Sequence, residues 1–335
     1  MIDLAFLKAF TEVPSIGTAC LPAMNMLVER FGSGYDRTFV SDGFCLFQKA
    51  GAGPEALKVV FVAHVDEVGG CVYGPYGDLG FLTRAWGNTP ELFAGFDLQA
   101  FDYLSDTGAD AHPVRGEVAE VNGEDRMLLF GEGIRPYRTG WTFRQETTFD
   151  GDIIDGKALD PRVTAYAVIE AVMALNTPEV GALFVMAEEC AMDVARKAVT
   201  FLQERAPNLQ LIANADVPGL QNIGEGRLEL PAIRIFEGRN FIDPMFGIRV
   251  AEVMEQQGVE FHLSAARSGS QTLLFSPLAP TLSIALPSKG VHLPRVLMSL
   301  QGTERCIALL QAIGASALEG KLTFSPLANE YKSGR

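Results

Sequence analysis

Short apolar runs alternate along the chain with segments in which apolar residues recur every three or four positions. The runs predict buried strands, and the three-to-four spacing predicts amphipathic helices. We expect a hairpin around Asp42 over residues 38–48 and a helix near the C-terminus. The other predicted elements are helices over 1–10, 19–31, 161–175, 192–205 and 243–257 and strands over 58–64, 182–187, 209–215, 232–236 and 281–286. This alternation predicts an α/β fold with a largely parallel sheet.

The pattern changes between Cys71 and Asp150. Glycine, proline and aspartate recur there, short β-like pieces such as 114–121 occur, and no long amphipathic helix is evident. We interpret residues 71–150 as an inserted all-β domain. Residues 1–70 and 151–335 would together form the α/β domain that surrounds the insertion.

Composition and charge exclude several classes of function. The 335 residues carry a net charge of −14, so the chain has no electrostatic attraction for nucleic-acid phosphates. No apolar run approaches the roughly 20 residues that span a membrane, and the N-terminus does not resemble a signal peptide. The five cysteines are dispersed and never spaced C-x-x-C, which indicates reduced thiols in a cytoplasmic protein without a disulfide framework or thiolate zinc site.

Side chains that can bind metals follow apolar or junction segments at five places. Each has a simpler interpretation by itself: a buried structural histidine, a helix N-cap before proline, a chance acidic pair or a loop aspartate. Together they are more informative, because the carboxyl ends of parallel strands meet at one edge of an α/β sheet. The candidates are His64 with Asp66, Asp160 before Pro161, the pair Glu188 and Glu189, Asp216, and His292.

The charges of these candidates suit two divalent metal ions. Asp160, Glu189 and Asp216 contribute three negative charges beside two neutral imidazoles, and one bridging hydroxide would complete the balance. If Asp160 bridges, each ion has three protein ligands and keeps an open position, as catalytic sites require. Glu188 is then not needed as a metal ligand, which makes it the candidate general base. Asp66 can accept the spare N–H of the His64 imidazole.

These segments, in this order, resemble the tetrahedral (deblocking or glutamyl) aminopeptidases, a family of di-metal peptidases with some members labelled as cellulases or endoglucanases. The similarity spans nearly the whole chain and rests on Ala63-His64-Val65-Asp66-Glu67-Val68-Gly69, Gly156-Lys157-Ala158-Leu159-Asp160-x-Arg162, Glu188-Glu189, Asp216-Val217 and His292.

The resemblance implies an α/β/α sandwich of the di-zinc exopeptidase type with a small inserted β domain. It implies that His64, Asp160 and Asp216 hold one metal, and that Asp160, Glu189 and His292 hold the other. Zinc is the expected metal, with cobalt and manganese as alternatives, because His/Asp/Glu sites accept all three. It further implies cleavage of short peptides and self-association, from dimers to a hollow dodecamer, through the inserted domain.

The chain departs from the family pattern at four places. Pro161 replaces a second aspartate, Cys190 follows the acidic pair, Gly269-Ser270-Gln271 replaces Gly-Thr-Asp, and Leu293-Pro294-Arg295 lacks a serine and a glutamate. Two other functions therefore stay open: an amidohydrolase acting on N-acyl amino acids, and a catalytically silent metal-binding homologue. We interpret His112 and His262 as structural. Flanking carboxylates would keep the Cys190 thiol inert.

Overall fold

A computed structural model describes residues 1–322 except 41–42, 78–79, 223–226, 238–239, 242 and 267. The turn predicted at Asp42 lies outside the described residues, although the two strands on either side of it pair as expected. Within the described part of the chain, no helix is both long enough and apolar enough to cross a membrane.

The helices and strands follow the order that the sequence predicts, with several short additions. The α-helices are α1 (Leu4–Glu12), α2 (Leu21–Phe31), α3 (Pro90–Phe93), α4 (Leu159–Leu175), α5 (Glu188–Ala191), α6 (Arg196–Arg205), α7 (Pro244–Gln256), α8 (Thr272–Phe275) and α9 (Leu300–Leu318). The strands are β1 (Tyr35–Val40), β2 (Phe44–Lys49), β3 (Val59–His64), β4 (Gly69–Pro75), β5 (Phe81–Trp86), β6 (Leu98–Asp102), β7 (His112–Val121), β8 (Glu124–Phe130), β9 (Thr139–Phe143), β10 (Thr148–Asp150), β11 (Ile153–Gly156), β12 (Val180–Val185), β13 (Leu211–Asp216), β14 (Ala232–Glu237), β15 (Asn240–Phe241), β16 (His262–Ala266), β17 (Thr281–Ala285) and β18 (Val296–Ser299).

The large sheet is parallel only in its middle. Its order is β1-β2-β12-β3-β13-β17-β14-β15, with β16 paired to β14. Four adjacent strands, β12, β3, β13 and β17, run parallel, whereas β1, β2 and β14 pair antiparallel with their neighbours on this path. The expectation of a largely parallel sheet is thus correct for the centre and wrong for the edges, where the sequence pattern does not distinguish strand direction.

Both faces of the sheet are covered, which gives the expected α/β/α sandwich. Along β3 the side chains alternate: Phe61 and Ala63 pack into one core with α1, α2, α4, α7 and α9, while Val60 and Val62 pack into another with α6 and α8. All six residues of β3 are buried, as expected for a central parallel strand.

The helix ends are set by local side-chain contacts. Asp3, Asp243 and Ser299 each accept a hydrogen bond from the backbone N–H three residues later, which caps α1, α7 and α9. The helix predicted over 192–205 is wrong in its first turn, because residues 192–195 form a 3₁₀ turn and the α-helix begins at Arg196.

Strands β4 to β9 form a closed barrel in the order β4-β5-β8-β7-β6-β9. Its interior packs around Trp141, whose ring meets Phe93 edge-on at 4.8 Å between centroids. Gly70 leaves the room for this ring, since a Cβ there would lie 2.5 Å from a Trp141 ring atom and 2.4 Å from the Arg84 carbonyl oxygen. The barrel strands run from Gly69 to Phe143, so the barrel begins two residues before the segment interpreted as an inserted domain. The domain boundaries at 71 and 150 stay a prediction.

A small sheet of β10, β11 and β18 was not predicted from the sequence. It pairs Gly156 with Val296, so it brings the segment before Asp160 beside the segment after His292. These two segments are far apart in sequence, and the pairing depends on tertiary structure that local periodicity does not encode.

A buried ion pair joins the barrel to the end of β3. Lys157 Nζ lies 2.6 and 2.8 Å from the two carboxylate oxygens of Glu67, and both side chains are at most 2% exposed. The same carboxylate accepts hydrogen bonds from Thr142 of the barrel and from the backbone N–H of Ser15. Burial lowers the pKa of Lys157, although the Glu67 charge opposes this shift.

We expect Lys157→Met to lower the free energy of unfolding by about 3–5 kcal/mol, because it leaves the Glu67 carboxylate buried without its cation. Equilibrium denaturation in urea measures the change. The control is the double variant Lys157→Met/Glu67→Gln, which leaves no unpaired charge and should recover most of the loss. Equal instability of the single and double variants would contradict the electrostatic explanation.

Candidate metal centre

The candidate residues meet at the carboxyl edge of the four central parallel strands. His64 is the last residue of β3, and Asp216 is the last residue of β13. Glu188 and Glu189 follow β12, while His292 follows β17. Asp160 comes from the start of α4, where its backbone angles depart from the helix. The structure therefore places side chains from positions 64 to 292 around one point.

Three turns with left-handed backbone bring these side chains into place. Ala158, Ala187 and His292 have φ values of 51°, 63° and 65°. Ala158 lies two residues before Asp160, and Ala187 lies directly before Glu188. Non-glycine residues in this conformation are uncommon, and they concentrate at functional sites.

One group of possible metal ligands consists of His64, Asp160 and Asp216, whose ligand atoms all lie within 4.8 Å of one another. His64 Nε2 is 3.4 Å from Asp160 Oδ1 and 3.7 Å from Asp216 Oδ1. The His64 ring is 2% exposed. The group is thus well shielded from solvent.

A second group consists of Asp160, Glu189 and His292, again within 4.8 Å. His292 Nε2 is 3.6 Å from Asp160 Oδ2 and 3.3 Å from Glu189 Oε2. His292 Nδ1 donates to the Gly87 carbonyl oxygen, at 2.9 Å, which leaves Nε2 free to bind a metal. Asp160 belongs to both groups and offers one oxygen to each.

Asp66 connects the histidine to the acidic pair. Its Oδ1 lies 3.3 Å from His64 Nδ1 and accepts a hydrogen bond from the Glu188 backbone N–H at 2.9 Å. Its Oδ2 accepts from the Glu189 backbone N–H at 3.2 Å. The acidic pair begins the short helix α5 rather than extending β12.

The cluster contains more negative charge than its protein partners balance. Burial, together with the neighbouring carboxylates of Glu189 and Asp216, raises the pKa of Asp160 to about 6. Burial and the charges of Asp216 and Glu189 raise the pKa of Glu188 well above its usual value. Although burial of its ring opposes protonation, contact with Glu189 raises the pKa of His292 to about 10. These shifts indicate a site that requires added positive charge.

The donor set fits divalent metal ions. Asp160 Oδ1 is buried and makes no hydrogen bond, even though an unpaired buried carboxylate oxygen is costly. The imidazole and carboxylate donors present are those that bind zinc, cobalt and manganese. A metal ion between Asp160 and its neighbours would satisfy the unpaired oxygen and reduce the repulsion among the carboxylates.

A cavity of about 400 Å³ opens onto these groups. Its polar wall consists of the candidate ligands and Glu188, and its other lining residues are small or uncharged: Gly87, Val217, Pro218, Gly219, Asn222, Ser268, Gly269 and Val291. The cavity has room for a small substrate beside the ligand cluster.

Four side chains at which the chain departs from the family pattern do not line this cavity, although Pro161 and Cys190 directly follow the candidate ligands Asp160 and Glu189. Gln271 is 1% exposed and donates to Asn214, while Cys190 contacts the Ala187 carbonyl oxygen. Arg295 pairs with Asp155 beside the small sheet, and Pro161 is buried at the start of α4. None of these four side chains lines the cavity.

Sequence reasoning missed Arg234, a buried residue of β14 whose Nη2 donates to Asp216 Oδ2 at 3.1 Å. The signal was present as an arginine within the apolar run Ala232-Ile233-Arg234-Ile235-Phe236. It also missed Gly87, because a backbone carbonyl leaves no signature in sequence. The two other histidines lie outside the ligand groups: His112 contacts the carbonyl oxygens of Asp110 and Glu132, and His262 begins β16.

No protein-family model matches this sequence. The chain is 23% identical over 300 residues to "Putative aminopeptidase SgcX" of Escherichia coli K12, covering 79% of this chain and 80% of that protein. The structure of the present chain is similar to that of a TET aminopeptidase from the marine sediment archaeon Thaumarchaeota archaeon SCGC AB-539-E09. The TM-score is 0.80 at 15% identity, and 96% of this chain and 99% of that chain are covered.

The TET1 peptidase of Pyrococcus horikoshii, described as assembling into a tetrahedron or a large octahedral shell, gives TM-score 0.77 at 18% identity over 92% of this chain and 98% of that one. Other similar structures include a PhTET1 dodecamer and, from Thermotoga maritima, an M18-family aminopeptidase and an endoglucanase. These neighbours confirm the resemblance drawn from the sequence motifs, and the chain has the fold of the TET and M18 aminopeptidases over nearly its whole length.

Proposed function

We propose that this protein is a metal-dependent aminopeptidase that removes N-terminal residues from short peptides. The observation that carries the proposal is the pair of ligand groups sharing Asp160, which converge on one cavity at the carboxyl edge of the sheet. The fold of the TET aminopeptidases and the similarity to an E. coli protein named as an aminopeptidase support the same activity.

In this proposal His64, Asp160 and Asp216 hold one divalent ion, and Asp160, Glu189 and His292 hold the other. Zinc is the proposed metal, and cobalt or manganese would suit the same donors. Two such ions would supply Lewis-acid polarisation of the scissile carbonyl and would lower the pKa of a bound water molecule.

Glu188 is the proposed general base. It lines the cavity and belongs to neither of the two groups that share Asp160, although its carboxylate also lies within 4.8 Å of ligand atoms of His64 and Glu189. Its carboxylate would take a proton from the attacking water and donate it to the leaving amine. Asp66 would orient this step indirectly, because it binds His64 and also the backbone N–H groups of Glu188 and Glu189.

The silent-homologue alternative rests on the departures around Cys190 and Gln271. Neither of these side chains lines the cavity, which favours the active enzyme. The amidohydrolase alternative differs in substrate, so we separate it by experiment.

We expect protein stripped by chelator to be inactive and protein reloaded with two equivalents of zinc or cobalt to cleave aminoacyl-p-nitroanilides. Elemental analysis of the loaded protein should give two metal ions per chain. A matched panel of N-acyl amino acids serves as the control and should remain uncleaved. Cleavage of that panel alone would favour the amidohydrolase, and one metal ion or none would contradict the di-metal site.

We expect substitutions of the two adjacent glutamates to have different effects on catalysis and metal binding. Glu188→Gln keeps the shape of the side chain but removes the proton acceptor, so kcat should fall by about 10²–10⁴ while both metals stay bound and KM changes little. Glu189→Gln should lose metal content and activity together. Metal content, Tm and kcat are measured on both variants. Near wild-type turnover of Glu188→Gln, or equal metal loss in both, would show that the base is assigned wrongly.

We further propose that residues 71–150 form an inserted domain that mediates assembly of the chain into a homo-oligomer, built from dimers towards a dodecamer. Assembly of TET1 peptidase into closed shells supports this proposal. A hollow particle would limit substrates to short peptides. Light scattering at micromolar concentration should give a mass well above the 36.2 kDa of one chain. A monomer would contradict both the assembly and the size exclusion.

A further inference from the structure

Arg234 reaches the candidate metal centre from two strands away. It lies on β14, and β17 separates that strand from β13, which ends at Asp216. The side chain crosses β17 at Ser283, its register partner, where Nε donates to Ser283 Oγ at 2.7 Å. The small serine leaves room for the guanidinium to continue to Asp216 Oδ2, at 3.1 Å from Nη2.

Glu237 pairs with the same guanidinium nitrogen that reaches Asp216. Its Oε1 lies 2.8 Å from Arg234 Nη2, and both side chains are fully buried. The Glu237 carboxylate also accepts hydrogen bonds from the backbone N–H and the hydroxyl of Ser270, at 3.2 and 3.0 Å. Arg234 has little freedom to move away from Asp216, because its Nε is bound to Ser283 and its Nη2 is paired with both carboxylates.

The two carboxylate oxygens of Asp216 therefore have different partners. Oδ2 is occupied by Arg234, while Oδ1 faces His64 Nε2 at 3.7 Å. Among the described residues, no other lysine or arginine forms an ion pair with a carboxylate that lines the cavity. Asp160, by contrast, turns both oxygens towards histidines of the cluster.

We propose that Arg234 is a positioning residue that presents Asp216 as a one-oxygen ligand to the metal position formed with His64 and Asp160. The inference rests on the metal site of the proposed function but not on its substrate. Groups that hydrogen-bond to metal ligands typically change metal affinity 10- to 100-fold when removed. The effect should be confined to one of the two metal positions, because Arg234 makes no ion pair with Glu189 or His292.

The test is the double variant Arg234→Met/Glu237→Gln, which removes the guanidinium from Asp216 without leaving Glu237 as a buried unpaired charge. Native mass spectrometry of zinc-loaded protein over a series of chelator concentrations measures the two affinities. We expect one metal ion to be lost at roughly 10- to 100-fold lower chelator concentration, while the other dissociates as in the unsubstituted protein. In a His64→Ala background, the double variant should cause no further loss.

A matched control is Arg305→Met/Glu260→Gln, which removes another arginine–glutamate ion pair whose residues do not line the cavity. It should leave both affinities unchanged. Arg234→Lys, which keeps the charge but not the planar fork, should weaken the same single metal position. Unchanged affinities in the Arg234 variants, or equal weakening of both positions, would overturn the inference. Because metal content is the readout, failure to cleave peptides would count against the proposed function alone.

Discussion

The hydrogen bonds of the Asp66 carboxylate hold three parts of the candidate site in one frame. One oxygen contacts the His64 ring and the Glu188 backbone N–H, and the other receives the Glu189 backbone N–H. The end of β3 and the turn after β12 are therefore fixed to each other through a group that is 0% exposed. Burial raises the pKa of Asp66, which the contact with His64 opposes. The frame works only while this carboxylate stays an acceptor for all three donors.

Around that frame, the site balances buried negative charge by different means. Asp216 is braced by Arg234, and although burial favours its neutral form, the nearby His64 ring and Arg234 lower its pKa. Glu67, one residue after Asp66, is neutralised by Lys157. Among the described residues, Asp160 and Glu188 form no ion pair with a lysine or arginine, and burial and neighbouring carboxylates raise their pKa values. Negative charge in the cluster is thus only partly balanced by arginine and lysine side chains.

Sequence alone predicted the central strands and the candidate ligands because both leave strong local signals. A buried strand such as β3 is a continuous apolar run, and a polar residue at its end is conspicuous. The small sheet that pairs Gly156 with Val296 left no such signal, nor did the antiparallel pairing of β14 with β17. Contacts between residues far apart in sequence, such as the hydrogen bond from His292 Nδ1 to the Gly87 carbonyl oxygen, become evident only in the folded structure. The assignment of each candidate ligand to one of two metal ions came from the resemblance to a known family, because periodicity does not show which side chains meet.

The donors of the site span the chain from His64 to His292, and the latter depends on a carbonyl of the barrel segment at Gly87. A polypeptide still under synthesis, or one truncated before residue 292, cannot assemble the full set. Early segments could present His64 and Asp160, but the second group stays incomplete until the last strands of the sheet have formed. Binding of both proposed metal ions would therefore require a completely folded chain. A chain that misfolds at a late stage would bind fewer metal ions than the native protein.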